Sequence, residues 1–313
     1  VTVSVLYWGF PRGGAGRTTE AAAHIETRTS PHPTHTMEGL NVYEFSPYWH
    51  CYCEENVYRF LEKMAVEPPA APEGSGPKSY DLYSAFVTSY SATPGNEVAP
   101  GEWQSAVPVV MGPKVSDIVY WDYHCVAVVK ETTKPAPGAK GETTVKWWVV
   151  DYDTKLGKGE FVTPMPLELY FGVTLSAAGK NPVALLEARV RFVKAVEFLA
   201  KFRSDRRHMY LRPVIKDARY KQMPAAQLNN PVNFQHPPPK TPRMQGPSPV
   251  VAALKGGTSK AAAKEALLAH LASKEDNNKH LNNVAEFLNT QNTSVCKSDL
   301  VGIKEIGKWV KEH

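Results

Sequence analysis

The feature that most constrains this chain is a pair of β-prone runs separated by a stretch built to turn. Ile118-Val119-Tyr120-Trp121 leads into Cys125-Val126-Ala127-Val128-Val129, and Val145 to Val150 is a second run of the same kind. β-branched and aromatic residues suit the packed surface of a sheet. Between the runs, Lys130 to Thr144 is rich in Thr, Pro, Gly and Lys and reads as a hairpin loop. If the strands pair symmetrically about that loop, Val129 faces Lys146 and His124 faces Asp151. Opposed residues of an antiparallel pair have Cβ atoms ~4.5–5.5 Å apart. An imidazole and a carboxylate at that separation can hydrogen-bond, and the carboxylate then fixes the tautomer and stabilises the imidazolium.

A third reactive group lies upstream. From Cys53 to Met64 the pattern is helical, with Val57, Leu61 and Met64 at i, i+4 and i+7 and Phe60 beside them. Pro68, Pro69 and Pro72 end the segment. Cys53 therefore starts a helix, where free N–H groups and the dipole favour a thiolate. Glu54 and Glu55 in the first turn oppose this unless they point away. A lone cysteine is more often structural, a lone strand histidine is more often a packed one, and a lone aspartate at a strand end more often forms a turn. Taken together in this order, the three types suit nucleophile, base and orienting acid.

Elsewhere, Ser84–Val87 and Val107–Met111 read as short strands, and Val183–Phe202 as a long amphipathic helix. Pro231–Pro249 is dense in proline and reads as extended. Ser259–Lys274 reads as a surface helix, and Val284–Leu288 and Ile303–Val310 as ordered pieces near the end. Residues 1–40 read as a disordered N-terminal extension. Residues 41–313 read as a single catalytic domain with a Lys/Ala-rich insertion around 243–280.

The charge of +5 is mild, and Lys among Ala and Asn in the last third reads as a solvated surface rather than a nucleic-acid site. No apolar run approaches the ~18–20 residues of a membrane span. The first residues lack a charged leader and an A-x-A cleavage site, so no signal peptide is read. Cys51, Cys53, Cys125 and Cys296 form no disulfide framework, which suits a reducing compartment.

Four ordered motifs and a proline-rich stretch now carry a resemblance. Tyr48 followed by Cys51-Tyr52-Cys53-Glu54-Glu55-Asn56 resembles the nucleophile region of the protein N-terminal glutamine amidohydrolase family. Trp121-Asp122-Tyr123-His124 is similar to its histidine motif and Asp151-Tyr152-Asp153-Thr154 to its acid motif. Ser204-Asp205-Arg206-Arg207-His208-Met209 and the prolines Pro237, Pro238, Pro239 and Pro242 are similar to further segments. The likeness covers roughly 42–242. It implies an α+β, papain-like or transglutaminase-like cysteine hydrolase fold, with the nucleophile at a helix N-terminus packed on an antiparallel sheet.

The resemblance further implies deamidation of N-terminal Gln in proteins and peptides to Glu, with release of ammonia, feeding the N-degron degradation pathway. The nucleophile falls on Cys53, the base on His124 and the acid on Asp151. Tyr48, Glu54, Asp122 and Asp205 are candidates for substrate binding. The expected partners are protein or peptide substrates beginning with Gln, without nucleic acid, membrane, metal or cofactor. The expected state is a monomer in the cytoplasm and the nucleus. Three rivals stand beside this reading: a papain-like thiol protease or transglutaminase-like acyltransferase served by the same triad, a non-catalytic module that recognises N-termini, and a zinc site of His50, Cys51, Cys53 and Cys125. The last has spacing that fits no common zinc pattern.

Overall fold

The two β-prone runs pair as an antiparallel hairpin inside a sheet larger than themselves. The computed structural model describes residues 36–49, 52–91, 107–110, 112, 118–121, 123–154, 156, 164–175, 188–204, 244, 247–273 and 283–313. The strands are β1 (Lys78–Thr88), β2 (Val107–Val110), β3 (Ile118–Trp121), β4 (Tyr123–Thr133), β5 (Thr144–Val150), β6 (Met165–Pro166), β7 (Arg189–Lys194) and β8 (Ser298–Gly302). Six of them form one sheet in the order β6-β5-β4-β1-β7-β8, with every neighbouring pair antiparallel. β2 pairs with β3 separately. The helices are α1 (Val42–Phe45), α2 (Cys53–Val66), α3 (Leu167–Thr174), α4 (Ala195–Lys201), α5 (Val251–Leu254), α6 (Lys260–Ala272), α7 (Val284–Leu288) and α8 (Ile306–Glu312). The chain is thus a mixed helix and antiparallel-sheet, α+β structure. No helix among the described residues is long and apolar enough to cross a membrane.

Both faces of the sheet are covered, and strand alternation sorts the side chains between them. Leu82 and Phe86 of β1, with Cys125, Ala127 and Val129 of β4, pack on the α2 side. Tyr83, Ala85, Val87, Val126 and Val128 pack on the other side, against α3 and Trp309 of α8. Helix α2 is buried nearly all round, with only Lys63 not fully buried. That follows from Val57, Phe60, Leu61 and Met64 filling the sheet-facing stripe while α4 and α6 cover its flanks.

The hairpin register differs from the symmetric one. Val129 faces Trp148, not Lys146, and Thr133 faces Thr144. Lys130 to Thr133 continue β4 because Thr132 and Thr133 are good strand formers, so the connection is shorter. Its turn contains Gly138 at φ +81°, a left-handed conformation natural to glycine. The expected helix over 183–202 is a strand followed by a helix: Arg189–Lys194 forms β7 and Ala195–Lys201 forms α4. Val190 and Phe192 alternate onto the α3 face, and pairing with β1 and β8 outweighs the helical pattern.

The core also recruits residues from both ends. Met37 and Leu40, within the stretch read as an extension, are buried beneath α2. From the Lys/Ala-rich region, Val250, Val251, Ala263 and Leu267 join the same core. Ser248 Oγ donates to Glu62, and Lys264 pairs with Glu67 at the end of α2.

Phe86 is fully buried at the centre of the α2-side core. Its ring centroid lies 5.7 Å from that of Phe198 and 5.6 Å from that of Phe287. Replacing it with alanine removes contacts that the rigid sheet cannot recover. Phe86→Ala is expected to lower unfolding stability by about 3–5 kcal/mol, read as a reduced urea midpoint at unchanged slope.

Candidate active site

Cys53 is the first residue of α2, and a buried asparagine fixes the turn that leads into it. The Asn56 side chain donates Nδ2–H to Trp49 O at 2.8 Å and accepts from Trp49 N–H through Oδ1 at 2.8 Å. This two-way clasp ties the first turn of α2 to the chain three residues before Tyr52. The helix then begins, with Asn56 N–H donating to Tyr52 O. The thiol of Cys53 donates to Glu54 Oε2 at 3.2 Å, and the Tyr123 hydroxyl donates to Glu54 Oε1 at 2.5 Å. Glu54 thus bridges the start of α2 to the start of β4.

The sheet leaves a place for this helix end. β5 pairs with β4 only as far as Ala127↔Val150. Beyond that point the chain turns away at Asp151, and the backbone of Cys125 hydrogen-bonds to the Cys53 sulfur. The nucleophile candidate therefore sits beside the residue that follows His124.

His124 and Asp151 are both 1% exposed in their side chains, and His124 Nε2 lies 3.0 Å from Asp151 Oδ1. The contact is an ion pair whenever His124 is protonated. With Nε2 turned to the carboxylate, Nδ1 has no hydrogen-bond partner among the described residues. The Trp121 ring lies 5.2 Å from the imidazole, centroid to centroid. Asp151 is held in turn by the Tyr170 hydroxyl, which donates to Oδ2 at 2.7 Å, and by Asp153 N–H, which donates to Oδ1 at 3.0 Å.

A register shifted by two explains why the symmetric pairing found the correct partners. A one-residue slip would have put the two side chains on opposite faces. A two-residue slip keeps the face and makes Asp151 a diagonal neighbour of His124 instead of a direct one. Diagonal pairs remain within reach of long side chains.

The charges pull against one another. Burial, the largest influence, lowers the His124 pKa, but the Asp151 charge, its hydrogen bond and the Asp153 charge together hold it above the usual imidazole value. Burial raises the Asp151 pKa, yet His124, the Tyr170 hydroxyl and Asp153 N–H hold it below the usual carboxylate value. The Cys53 thiol is pushed well up by burial, then by the neighbouring Cys125 thiol and the Asp153 carboxylate, against the opposing Cys125 backbone bond. These influences favour the neutral thiol over the thiolate.

The sequence candidates fall as follows. His124 and Asp151 are paired, and Cys53 lies beside Cys125, the residue after His124. Glu54 contacts the thiol, and the Tyr48 hydroxyl donates to Asp153 Oδ1 at 2.5 Å. Asp122 and Asp205 lie outside the described residues, as do His50 and Cys51. Sequence reasoning missed Tyr170, Asn56 and the role of Asp153. Tyr170 lies 19 residues beyond Asp151 on another helix, with no motif to mark it. Asp153 was visible in the Asp-Tyr-Asp triplet. Ligating atoms of His124, Asp151 and Asp153 lie within 4.8 Å of one another and could hold a metal ion. Each carboxylate is already engaged, by Tyr170 and Tyr48 respectively.

Comparison with known proteins matches this chain to one family. Residues 48–249 match the N-terminal glutamine amidase family. A protein from Drosophila pseudoobscura pseudoobscura named protein N-terminal glutamine amidohydrolase is 28% identical over 165 residues, 52% of this chain and 62% of that protein. One of the same name from Caenorhabditis briggsae is 24% identical over 204 residues, 64% of this chain and 79% of that protein. The chain thus spans under two thirds of the fly relative's length. The matched region contains the start of α2, the β4–β5 hairpin and α3, which together build the site, and the chain belongs to the N-terminal glutamine amidase family.

Proposed function

We infer that this protein deamidates the side chain of N-terminal glutamine in proteins and peptides, leaving glutamate and ammonia, with Cys53, His124 and Asp151 as its triad. The observation that carries this reading is the buried 3.0 Å His124–Asp151 pair beside a cysteine that opens a helix. The fold fits a papain-like or transglutaminase-like hydrolase, with its nucleophile helix packed on the antiparallel sheet. The names of the relatives supply the substrate class.

The chemistry runs in two halves. His124 Nδ1 takes the proton of Cys53, and the thiolate attacks the carbon of the glutamine side-chain amide. The tetrahedral oxyanion needs donors, and the Cys53 backbone N–H at the start of α2 is the first; such a donor contributes about 3–4 kcal/mol. The C–N bond breaks as His124 returns its proton to the departing ammonia, leaving a thioester on Cys53. His124 then removes a proton from water, which attacks the thioester and frees glutamate and the thiol. Asp151 keeps Nε2 protonated and steadies the imidazolium in both halves. The new N-terminal acid suits an N-degron role, in which a later enzyme recognises the modified end.

A thiol protease or acyltransferase with the same triad would cleave the backbone or join an amine, instead of releasing ammonia alone. The deciding experiment is ammonia release from matched peptides beginning with Gln, beginning with Asn and carrying Gln internally. Only the first should react, with no backbone cleavage in its mass spectrum. Asn is one methylene short of the thiolate, and reacting atoms must come within ~3–3.5 Å. Cys53→Ala should abolish the reaction in folded protein, whereas Cys51→Ala should retain it. Cleaved peptide, or ammonia from internal Gln at a similar rate, would overturn the reading.

The pH dependence follows from the base. Neutral imidazole is the reactive form, so Cys53 alkylation by iodoacetamide should rise with pH through an apparent pKa above 6.5. Asp151→Asn removes the charge that holds this value up, so the acid limb should move to lower pH while the maximal rate falls. An unmoved limb would dissociate Asp151 from His124.

A further inference from the structure

A triad alone does not distinguish an N-terminal glutamine from an internal one; some group must receive the α-ammonium. In glutamine, four single bonds separate the side-chain carbonyl carbon from the α-nitrogen, a reach of about 5 Å when extended. The receiving group must therefore stand near the thiol without touching it. Glu54 fails this test, because its Oε2 already meets Sγ at 3.2 Å and its side chain is wholly buried. Glu55 fails because it is buried and already accepts a hydrogen bond from Ser204 Oγ at 2.6 Å.

Resting on the deamidation reading above, we propose that Asp153 receives the α-ammonium of the substrate, beside the ring cluster of Tyr43, Tyr48 and Tyr152. Asp153 is only partly buried, unlike Asp151 two residues before it. One of its carboxylate oxygens lies within 4.8 Å of a ring nitrogen of His124 and a carboxylate oxygen of Asp151, and its charge acts on Cys53, His124 and Tyr43. The Tyr48 hydroxyl orients the carboxylate from one side. The Tyr48 and Tyr152 rings stack at 5.7 Å and 3°, and Tyr43 lies 5.2 Å from Tyr48, centroid to centroid. The Tyr43 hydroxyl donates to Tyr152 O at 2.8 Å, which pins the outermost ring, and Tyr43 is 38% exposed. A carboxylate beside aromatic rings suits a cation: the carboxylate gives a charge-assisted hydrogen bond, and ring faces attract an ammonium.

This placement couples recognition to chemistry. Without substrate, the Asp153 charge opposes formation of the thiolate. An ammonium paired with Asp153 cancels that charge where it matters, so a free N-terminus both docks and favours ionisation of Cys53. An acetylated N-terminus does neither.

The test compares wild type, Asp153→Asn and Tyr48→Phe on a peptide beginning with free Gln, on its N-acetylated form, and on alkylation of Cys53 by iodoacetamide. Asp153→Asn should lose about 10- to 100-fold in kcat/KM on the free peptide, mostly through KM, as expected for one ionic hydrogen bond. Turnover of the acetylated peptide should hold, so the preference for a free amine collapses. Alkylation should stay at or above the wild-type rate, because a charge opposing the thiolate has gone. Tyr48→Phe, which keeps the carboxylate and loses only its orienting hydroxyl, should shift the preference the same way by a smaller factor. It carries the test if Asp153→Asn does not fold. An unchanged preference in both variants overturns the proposal. Equal loss on both peptides with loss of alkylation also overturns it, since Asp153 would then serve His124 and not the substrate. Absence of ammonia from the free peptide with wild-type protein overturns the deamidation reading itself, and this inference with it.

Discussion

The buried His124–Asp151 pair is the interaction around which the rest of the site is arranged. Removing two ionisable groups from water is costly, and Coulomb attraction repays it only when the remaining lone pairs are satisfied. The Tyr170 hydroxyl and Asp153 N–H supply that satisfaction on the acid. Each comes from a different part of the fold, so α3 and the turn after β5 must both dock before the pair is sound. The end of β5 at Val150 has the same logic. A longer β5 would carry Asp151 on along β4 and fill the edge where the start of α2 now lies.

The pair also sets a conflict between stability and activity. Asp151 has a folded pKa below its unfolded value of about 3.9, so its contribution is present above that pH and lost on acidification. His124 has a folded pKa above its unfolded value of about 6.5, so its contribution is present below that pH and lost as pH rises through the folded value. The fold therefore gains most from the pair between about pH 4 and 6.5. Catalysis as inferred needs the neutral base and operates on the alkaline side of this window. Glu55 adds to the conflict. Burial pushes its pKa to about 7, against the Ser204 hydrogen bond, its own backbone and the charge of Arg59. Its protonated form favours the fold, and that contribution fades as pH rises from its unfolded value through about 7.

Much of this arrangement was legible in the sequence because it rests on local patterns. The α2 stripe of Val57, Leu61 and Met64 named a helix and placed Cys53 at its start. The β-prone runs named the hairpin and put His124 and Asp151 near each other. The register was misread because Lys130–Thr133 is polar enough to resemble a loop, while the sheet holds it in place through pairing with Lys78–Asp81 of β1. The helix expected over 183–202 failed for a related reason. Val190 and Phe192 suit a strand once β1 and β8 stand on either side, and no local pattern reveals those neighbours. Tyr170 and Asn56 were invisible because their value lies in partners that only the fold brings near.

Helix α2 shows how the end that carries Cys53 is kept rigid by the rest of its length. At its start, Asn56 clasps Trp49 and Glu54 reaches Tyr123. Farther along, Glu55 meets Ser204, while Arg59 and Ser248 both bind Glu62, with Arg59 at 2.6 Å. Ser248 and Ser204 belong to segments over 140 residues away along the chain. These polar contacts are directional, unlike the surrounding packing of Phe60, Leu61 and Met64, and so fix the rotation of the helix as well as its depth. Rotation matters because adjacent helical side chains point about 100° apart. A turn of α2 by even part of that angle would carry the sulfur away from the Cys125 backbone. Glu55, one of the groups that fix this rotation, also raises the Cys53 pKa, so part of the opposition to the thiolate accompanies the aim.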